Sequence, residues 1–509
     1  MKKDRLTVRE KFENQLNLLS KFPFLSLLLI GIGAITIRLV FFQDELIFKS
    51  DNLHYFKYAV DLSITGESPI ILKNDGWSQF LSIFFKFLNS ENFLDYMNLQ
   101  SYISIVFSTS TIIPLYFLAK RFTNSLIALI STILFVFDPR IIANSLIGVT
   151  DPLFILLVVT SLALIVQKNK FVIYGSCITI VLASIVRAEG LFLIPALCTM
   201  FLIKNGITKK NIIQCIIFII IIYLIMLPFS MQRNEITGGN DNLTGRIFQE
   251  AQTLTGNNSN TLESKITGSI SLFVQFFVKL MIPYLWIFVP VGVILFLKEK
   301  NIKKSLLIIP GFFLILPSLY AYTVPALDSR YLFPILPILC IIGTFSFVKY
   351  FQKTDHKKIV VALLILIILS SSISFLVYKN FDMQDQQEFL ELANIVNKNT
   401  NNILYIQTNS IIPYLDSAKL SELKEFPVLS SNYSMNSNVK VVQYTNIENF
   451  FSNIEKNDIT HIVIDKEMDN PVIIKEIFDN YEKYDNLKKI FDSQENGFNY
   501  KIEIFEIKY

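Results

Sequence analysis

The stretch KNGITKKNIIQCIIFIIIIYLIMLPF (residues 204–229) decides the fold class. It opens with Lys204, Lys209 and Lys210 and then runs apolar from Ile212 to Phe229, broken only by Gln214. That is close to the ~20 residues a helix needs to cross a bilayer. Basic residues packed against an apolar run also mark a cytoplasmic flank. Working outward, similar runs lie at Phe22–Phe42 and at about 102–119, 125–137, 152–167, 171–186, 190–203, 272–297, 305–324, 331–349 and 359–378. The reading is therefore a polytopic α-helical membrane protein with about eleven transmembrane helices.

Composition agrees with this reading. Of 509 residues, 52% are hydrophobic and 17% charged, with a mean hydropathy of +0.46. Soluble domains carry roughly 25% charged residues, so both a disordered chain and an ordinary cytosolic enzyme are disfavoured. The net charge of +4, spread over 46 basic and 42 acidic residues, gives no reason to expect nucleic acid. Cys177, Cys198, Cys215 and Cys340 all fall inside apolar runs, without the spacing of a zinc site or a disulfide framework. With only three histidines, no metal-ligand cluster is expected.

Loop charge sets the expected orientation. The N-terminal MKKDRLTVREK and alternate loops (Lys120-Arg121, QKNK at 167–170, KNGITKKN, KEKNIKK at 298–304 and KYFQKTDHKK at 349–358) hold most of the basic residues near span ends. The positive-inside rule puts these in the cytoplasm. The first run is too long for a signal-peptide core and lacks a cleavage site, so it reads as a retained span. The intervening loops, and everything after Lys379, are then expected outside. The sequons at Asn242, Asn257 and Asn432 fall on that side.

The chain after about residue 380 changes character. ILYIQT, VKVVQY and HIVID read as strands, ENFFSNIEKN and IIKEIFDNYEKY as helices, and KKIFDS with YKIEIFEI as a hairpin turning at Asn496-Gly497. The expected division is a membrane domain over 1–379 and an extracytoplasmic α/β domain over 380–509, with a mostly parallel sheet. Gly497 is its only glycine, which leaves no phosphate loop.

The expected outer loops gather Asp44, Glu45, Asp51, Asp61, Glu67, Asp75, Asp138, Arg140, Asp151, Arg187, Glu189, Arg233, Asp328 and Arg330, several at span ends. Such groups cost about 2.5–3.5 kcal/mol each at membrane depth and are usually kept for a cavity, a pathway or a reaction. Asp51, with Tyr55 and Ala59 at helical spacing, is either a helix cap or a general base. Asp44 and Glu45 mark the interface or supply the base instead. DGWSQFLSIFFKFL (75–88) either lies in the interface plane with Trp77 at headgroup level or forms a short buried helix. Pro152 suits a first helical turn capped by Thr150 or Asp151. Arg187 and Glu189 form a local ion pair, or Arg187 binds an anion at a cavity mouth. Arg330, just before a Pro-interrupted span, either snorkels or binds phosphate bidentately.

Taken together these motifs resemble the GT-C glycosyltransferases, in particular the family 39-type enzymes such as protein O-mannosyltransferases and aminoarabinose transferases. The matching residues are Asp51-Asn52 with Tyr55 and Ala59, Phe137-Asp138-Pro139 with Ser145, and Thr150-Asp151-Pro152-Leu153-Phe154. Arg187-Ala188-Glu189-Gly190-Leu191-Phe192 and Arg330-Tyr331-Leu332-Phe333-Pro334 complete the set, over roughly residues 25–350. The resemblance implies transfer of a sugar from a polyprenyl- or dolichyl-phosphate donor to an extracytoplasmic acceptor (protein, lipid or glycan) with inversion. It implies Asp51 as base and Asn52, Asp138, Asp151, Arg187, Glu189, Arg330 and Tyr331 as substrate-binding residues. A divalent metal is conceivable, but relatives of this type generally need none. The WWDYG-type motif of oligosaccharyltransferases is absent, which argues against en bloc transfer to asparagine. The competing expectations are a transporter or lipid flippase and a non-enzymatic scaffold. A transporter places its binding groups near the bilayer midplane rather than along one face.

Overall fold

The computed structural model describes residues 22–43, 51–66, 75–88, 90, 93–237, 259–299, 303–323, 328–347, 357–399, 403–406, 439–440, 446–466 and 472–508. The chain divides into two compact units. The first comprises the described parts of Met1–Phe42, Glu67–Ile83 and Leu99–Leu376. The second comprises those of Gln43–Gly66, Phe84–Asn98 and Val377–Tyr509.

The first unit is helical. Among the described residues, six helices are long and apolar enough to cross a membrane, or up to eight if two bent pairs each count as one span. Three shorter apolar helices, Asp151–Ile165, Phe171–Val186 and Ser305–Ala321, join them. Every expected span therefore falls on a helix, but two of them differ in form. The run at 125–137 ends at Val136 and continues after a 52° bend as Pro139–Leu146. The run at 272–297 is a pair, Thr267–Met281 and Leu285–Lys298, bent by 105°. Proline explains the first break: Pro139 lacks the N–H an unbroken helix would use, and the Asp138 carboxylate accepts from the N–H groups of Arg140 (2.9 Å) and Ile141 (3.4 Å) instead.

Packing joins helices both near and distant in the sequence. Helix 151–165 lies along 170–186, 125–136 packs on 112–119, 193–205 on 305–321, and 285–298 on 336–343. The last contact depends on Gly292: a Cβ there would stand 2.3 Å from the Ile342 carbonyl oxygen. Lipid-facing surface is abundant on the peripheral helices, as at Phe24, Leu28, Ile220, Leu224, Ile294 and Leu366. In water a monomer rarely shows apolar surface on that scale, and a bilayer accounts for it.

The second unit holds a five-stranded sheet, β1 (Ile403–Ile406), β2 (Val439–Lys440), β3 (His461–Asp465), β4 (Leu487–Asp492) and β5 (Ile502–Ile507), in the order β2-β1-β3-β5-β4. β1 is parallel to β2 and β3, while β5 runs antiparallel to β3 and β4. The alternation of side chains separates two faces. Ile462, Ile464, Phe505 and Ile507 pack with Phe450, Ile454, Ile477 and Phe478 of helices Ile447–Lys456 and Val472–Asp479. Val463, Ile502 and Ile504 point the other way, onto Leu392, Ala393 and Val396 of helix Lys357–Asn399. Gly497, at φ 87°, supplies the left-handed residue of the turn between β4 and β5. The same unit holds helix Asp51–Thr65, whose Phe56 meets Phe85 edge-on at 5.9 Å, and Phe85 in turn meets Tyr96 at 5.4 Å.

Candidate functional site

Within the first unit the sequence brings an arginine to the junction of three segments. Helix Lys170–Val186 ends at Arg187, whose extended backbone (φ −148°, ψ 127°) turns the chain into the 3-10 segment Ala188–Phe192. Gly190 allows this turn to fold back on the helix end, since a Cβ there would lie 2.8 Å from the Ser184 backbone nitrogen. Arg187 is 8% exposed and donates from Nη1 to Asp151 Oδ1 and from Nη2 to Glu189 Oε1 at 2.7 Å. Its Nε also donates to Glu189 Oε1, at 3.2 Å. The guanidinium stands over two rings, Tyr331 at 5.6 Å and Phe154 at 5.7 Å. A cation held between aromatic faces and carboxylates has both charge and shape compensation.

Asp151 opens helix 151–165 and is fully buried. One of its oxygens meets Arg187, while Oδ2 is buried without a hydrogen-bond partner among the described residues. Arg330 and Asp328 lie within electrostatic reach of Asp151. Asp328 caps the 3-10 segment Ser329–Ile335, accepting from the Arg330 N–H at 2.9 Å, and its Oδ2 accepts from Arg330 Nε at 2.5 Å. Arg330 is the more open of the two arginines, its side chain 29% exposed against 10% for Arg187. The structure thus unites five of the expected site residues, Asp151, Arg187, Glu189, Arg330 and Tyr331, and adds Asp328. The local Arg187–Glu189 pair exists, and it shares its guanidinium with Asp151, thirty-six positions away.

Asp138 is used differently. It is 1% exposed, caps helix 139–146, and its Oδ2 lies 3.7 Å from Arg140 Nη1. Arg140 itself bridges to the 279–282 turn, donating to the Leu280 carbonyl at 2.8 Å and to those of Lys279 and Ile282. Asp51 and Asn52 belong to the second unit. Asp51 is the first residue of its helix and is exposed, whereas Asn52 is buried. Tyr55 and Ala59 are buried, as their helical spacing requires. Asp44, Glu45, Glu67 and the three sequons lie outside the described residues. Trp77 is fully buried, so the short buried helix, rather than a residue at headgroup level, is what forms.

Sequence reasoning missed Arg38. It sits in the last turn of helix Pro23–Val40 with no exposed surface. Nε donates to Ser145 Oγ at 3.0 Å, Nη2 to Ser108 Oγ at 2.9 Å and Nη1 to the Ala34 carbonyl at 3.0 Å. No carboxylate pairs with it among the described residues. The signal was available: a lone arginine inside an apolar run is itself a reason to look. Among the described residues no three His, Cys, Asp or Glu side chains come together to hold a metal ion.

The helical membrane unit and the small sheet domain have a GT-C-like fold, by likeness to the following solved structures. The oligosaccharyltransferase of Archaeoglobus fulgidus is similar at a TM-score of 0.56 and 12% identity over 87% of this chain and 68% of that one. The archaeal oligosaccharyltransferase AglB from Archaeoglobus fulgidus, in complex with an inhibitory peptide and a dolichol-phosphate, gives a TM-score of 0.55 at 12% identity over 88% and 70%. ArnT from Cupriavidus metallidurans, bound to undecaprenyl phosphate, gives 0.53 at 9% identity over 94% and 97%. Identities this low carry the fold and nothing finer. None of the curated proteins matches the chain in sequence. Residues 96–488 match the model of the family DUF2079, described as a predicted membrane protein, and the chain belongs to that family.

Proposed function

We propose that the chain is a membrane glycosyltransferase that moves a sugar from a polyprenyl-phosphate donor to an extracytoplasmic acceptor, with inversion. The observation that carries this reading is the double-arginine cluster, set on a GT-C fold at one common end of the apolar helices: the start of 151–165, the end of 170–186 and the start of 336–343. The N-terminus is cytoplasmic in this reading, and the cluster and the sheet domain face outside.

The leaving group of such a donor is a phosphate, which needs charge neutralisation more than a proton. Arg187 and Arg330 supply it. Three carboxylates stand against these two guanidiniums, so the phosphate has to displace one of them. Asp328, the most open of the three with 36% of its side chain exposed, gives way, while fully buried Asp151 keeps hold of Arg187. Tyr331 limits the space beside the guanidinium. Asp51, in the second unit, is assigned as the base that removes the acceptor proton, a contribution worth about 10²–10⁴ in rate. Asn52 and Asp138 are assigned to substrate binding.

The test is transfer of label from polyprenyl-phosphate sugars to acceptors in membranes containing the full chain. Transfer that requires Arg187 and Asp51 supports the reading. Donor movement across the membrane without transfer would instead identify a flippase.

A further inference from the structure

The segment Asp75–Gln79 reaches both stretches of chain that lead into the Asp151–Arg187 pair, at Gly148 and at Ile185, and the function above does not use it. Trp77 is fully buried, and its Nε1 donates to the Gly148 carbonyl at 2.9 Å. Gln100, also fully buried, donates to that same carbonyl from Nε2 at 2.7 Å. A carbonyl oxygen has two lone pairs, so this one is saturated. Gly148 is left-handed (φ 66°), stands three residues before Asp151, and fixes the turn from which helix 151–165 starts. On the other side, Gly76 lies against the end of helix 170–186. A Cβ on Gly76 would fall 2.7 Å from the carbonyl carbon and oxygen of Ile185, two residues before Arg187. Gln79 closes the segment on itself, its N–H donating to the Asp75 carbonyl at 2.9 Å and its Nε2 to Asp75 Oδ2 at 3.3 Å.

Two adjacent residues therefore reach the two strands of chain that carry the ion pair. One acts through the hydrogen bond of its buried indole N–H, the other through an approach that only glycine permits. We infer that Gly76 and Trp77 are positioning residues that set the spacing between Asp151 and Arg187. They thereby decide how Arg187 is presented to an anionic headgroup. The claim about donor binding rests on the proposed function; the claim about spacing does not.

The experiment uses the full chain in nanodiscs, as wild type and as the variants Trp77→Phe, Gly76→Ala and Arg187→Ala. Hydrogen exchange is followed in peptides covering 146–151 and 185–190, and undecaprenyl phosphate binding is titrated alongside. Trp77→Phe keeps an aromatic ring and leaves Gln100 on the carbonyl, so the fold should persist with a modest fall in melting temperature from the smaller buried ring. Exchange in both peptides should accelerate several-fold, and the apparent Kd should rise through the altered spacing, by no more than about the tenfold that one hydrogen bond is worth. Gly76→Ala should disturb the same two peptides by a steric route. If both variants leave the two peptides at wild-type exchange rates, the positioning claim falls. It falls equally if exchange rises uniformly along the chain together with a lower melting temperature, which is what a general packing role would give. Should wild type and Arg187→Ala bind the lipid phosphate equally, or not at all, the proposed function fails, and the exchange data still decide the spacing.

Discussion

At the scale of single residues, Arg187 and Arg38 pose opposite problems. Arg187 is surrounded by acceptors and rings, so its charge is compensated before any substrate arrives. Arg187→Lys keeps the charge but loses the fork that spans Asp151 and Glu189. It is expected to reduce donor affinity partially, with Arg187→Ala far more severe, as measured by transfer rate against donor concentration. Arg38 is a buried cation whose three hydrogen bonds go to two serines and one carbonyl. Burying a charge without an opposite charge is costly, and an apolar residue of similar length avoids that cost. Arg38→Met should therefore leave the melting temperature unchanged or raise it. A fall of more than about 5 °C would mean that the three hydrogen bonds outweigh the desolvation, which at this chain length is a difference well above 1 kcal/mol. The Arg187–Glu189 pair was legible because the two residues are neighbours in the chain. Asp151 was legible as a candidate but not as their partner, because only the packing of helices 151–165 and 170–186 brings it there. Arg38 was overlooked because attention to charges at span ends passes over a charge within a span.

At the scale of elements, hydropathy and turn chemistry gave the spans, the strands and the Asn496-Gly497 hairpin. They could not give the bends. A run such as 272–297 reads the same whether it is straight or folded by 105°, because composition carries no direction. Trp77 was ambiguous for a related reason: an indole is at home both at a membrane interface and buried with its N–H on a carbonyl. In the sheet domain the amphipathic helix Ile447–Lys456 presses Phe450 and Ile454 into the core. Phe450→Ala is expected to cost about 3–5 kcal/mol of that domain's stability. Normal exchange protection of β3 and β5 in the variant would contradict it. The hairpin carries its own pH dependence. Burial pushes the Asp492 carboxyl up, but the Lys489 ammonium at 2.6 Å and the backbone N–H groups of Gln494 and Glu495 outweigh it and hold the group below its ordinary value. A depressed carboxyl stabilises the fold above its unfolded-state value and loses that contribution as pH falls through the folded one. Protection of β4 and β5 should therefore weaken as pH drops below about 4, and Asp492→Asn should flatten that slope. An unchanged slope in the variant would assign the acid sensitivity elsewhere.

At the scale of the whole molecule, the account depends on which side of the membrane the cluster faces. In the proposed reading the positive-inside rule puts Lys209 inside and the sheet domain outside. An introduced cysteine replacing exposed Glu495 should react with an impermeant reagent on intact cells, while one replacing Lys209 should stay protected until the membrane is opened. The reverse pattern would put the arginines where lipid-phosphate sugars of the outer leaflet cannot reach them. The central claim is that this DUF2079 chain uses its paired arginines to take a sugar from a lipid phosphate. The direct measurement is transfer of label from a radiolabelled polyprenyl-phosphate sugar in membranes that hold either the wild type or Arg187→Ala at equal abundance. The account predicts label in an acceptor with the wild type and a loss of at least about a hundredfold with the variant, the scale of removing one preorganised charge-stabilising group. Equal transfer by the two proteins would contradict it.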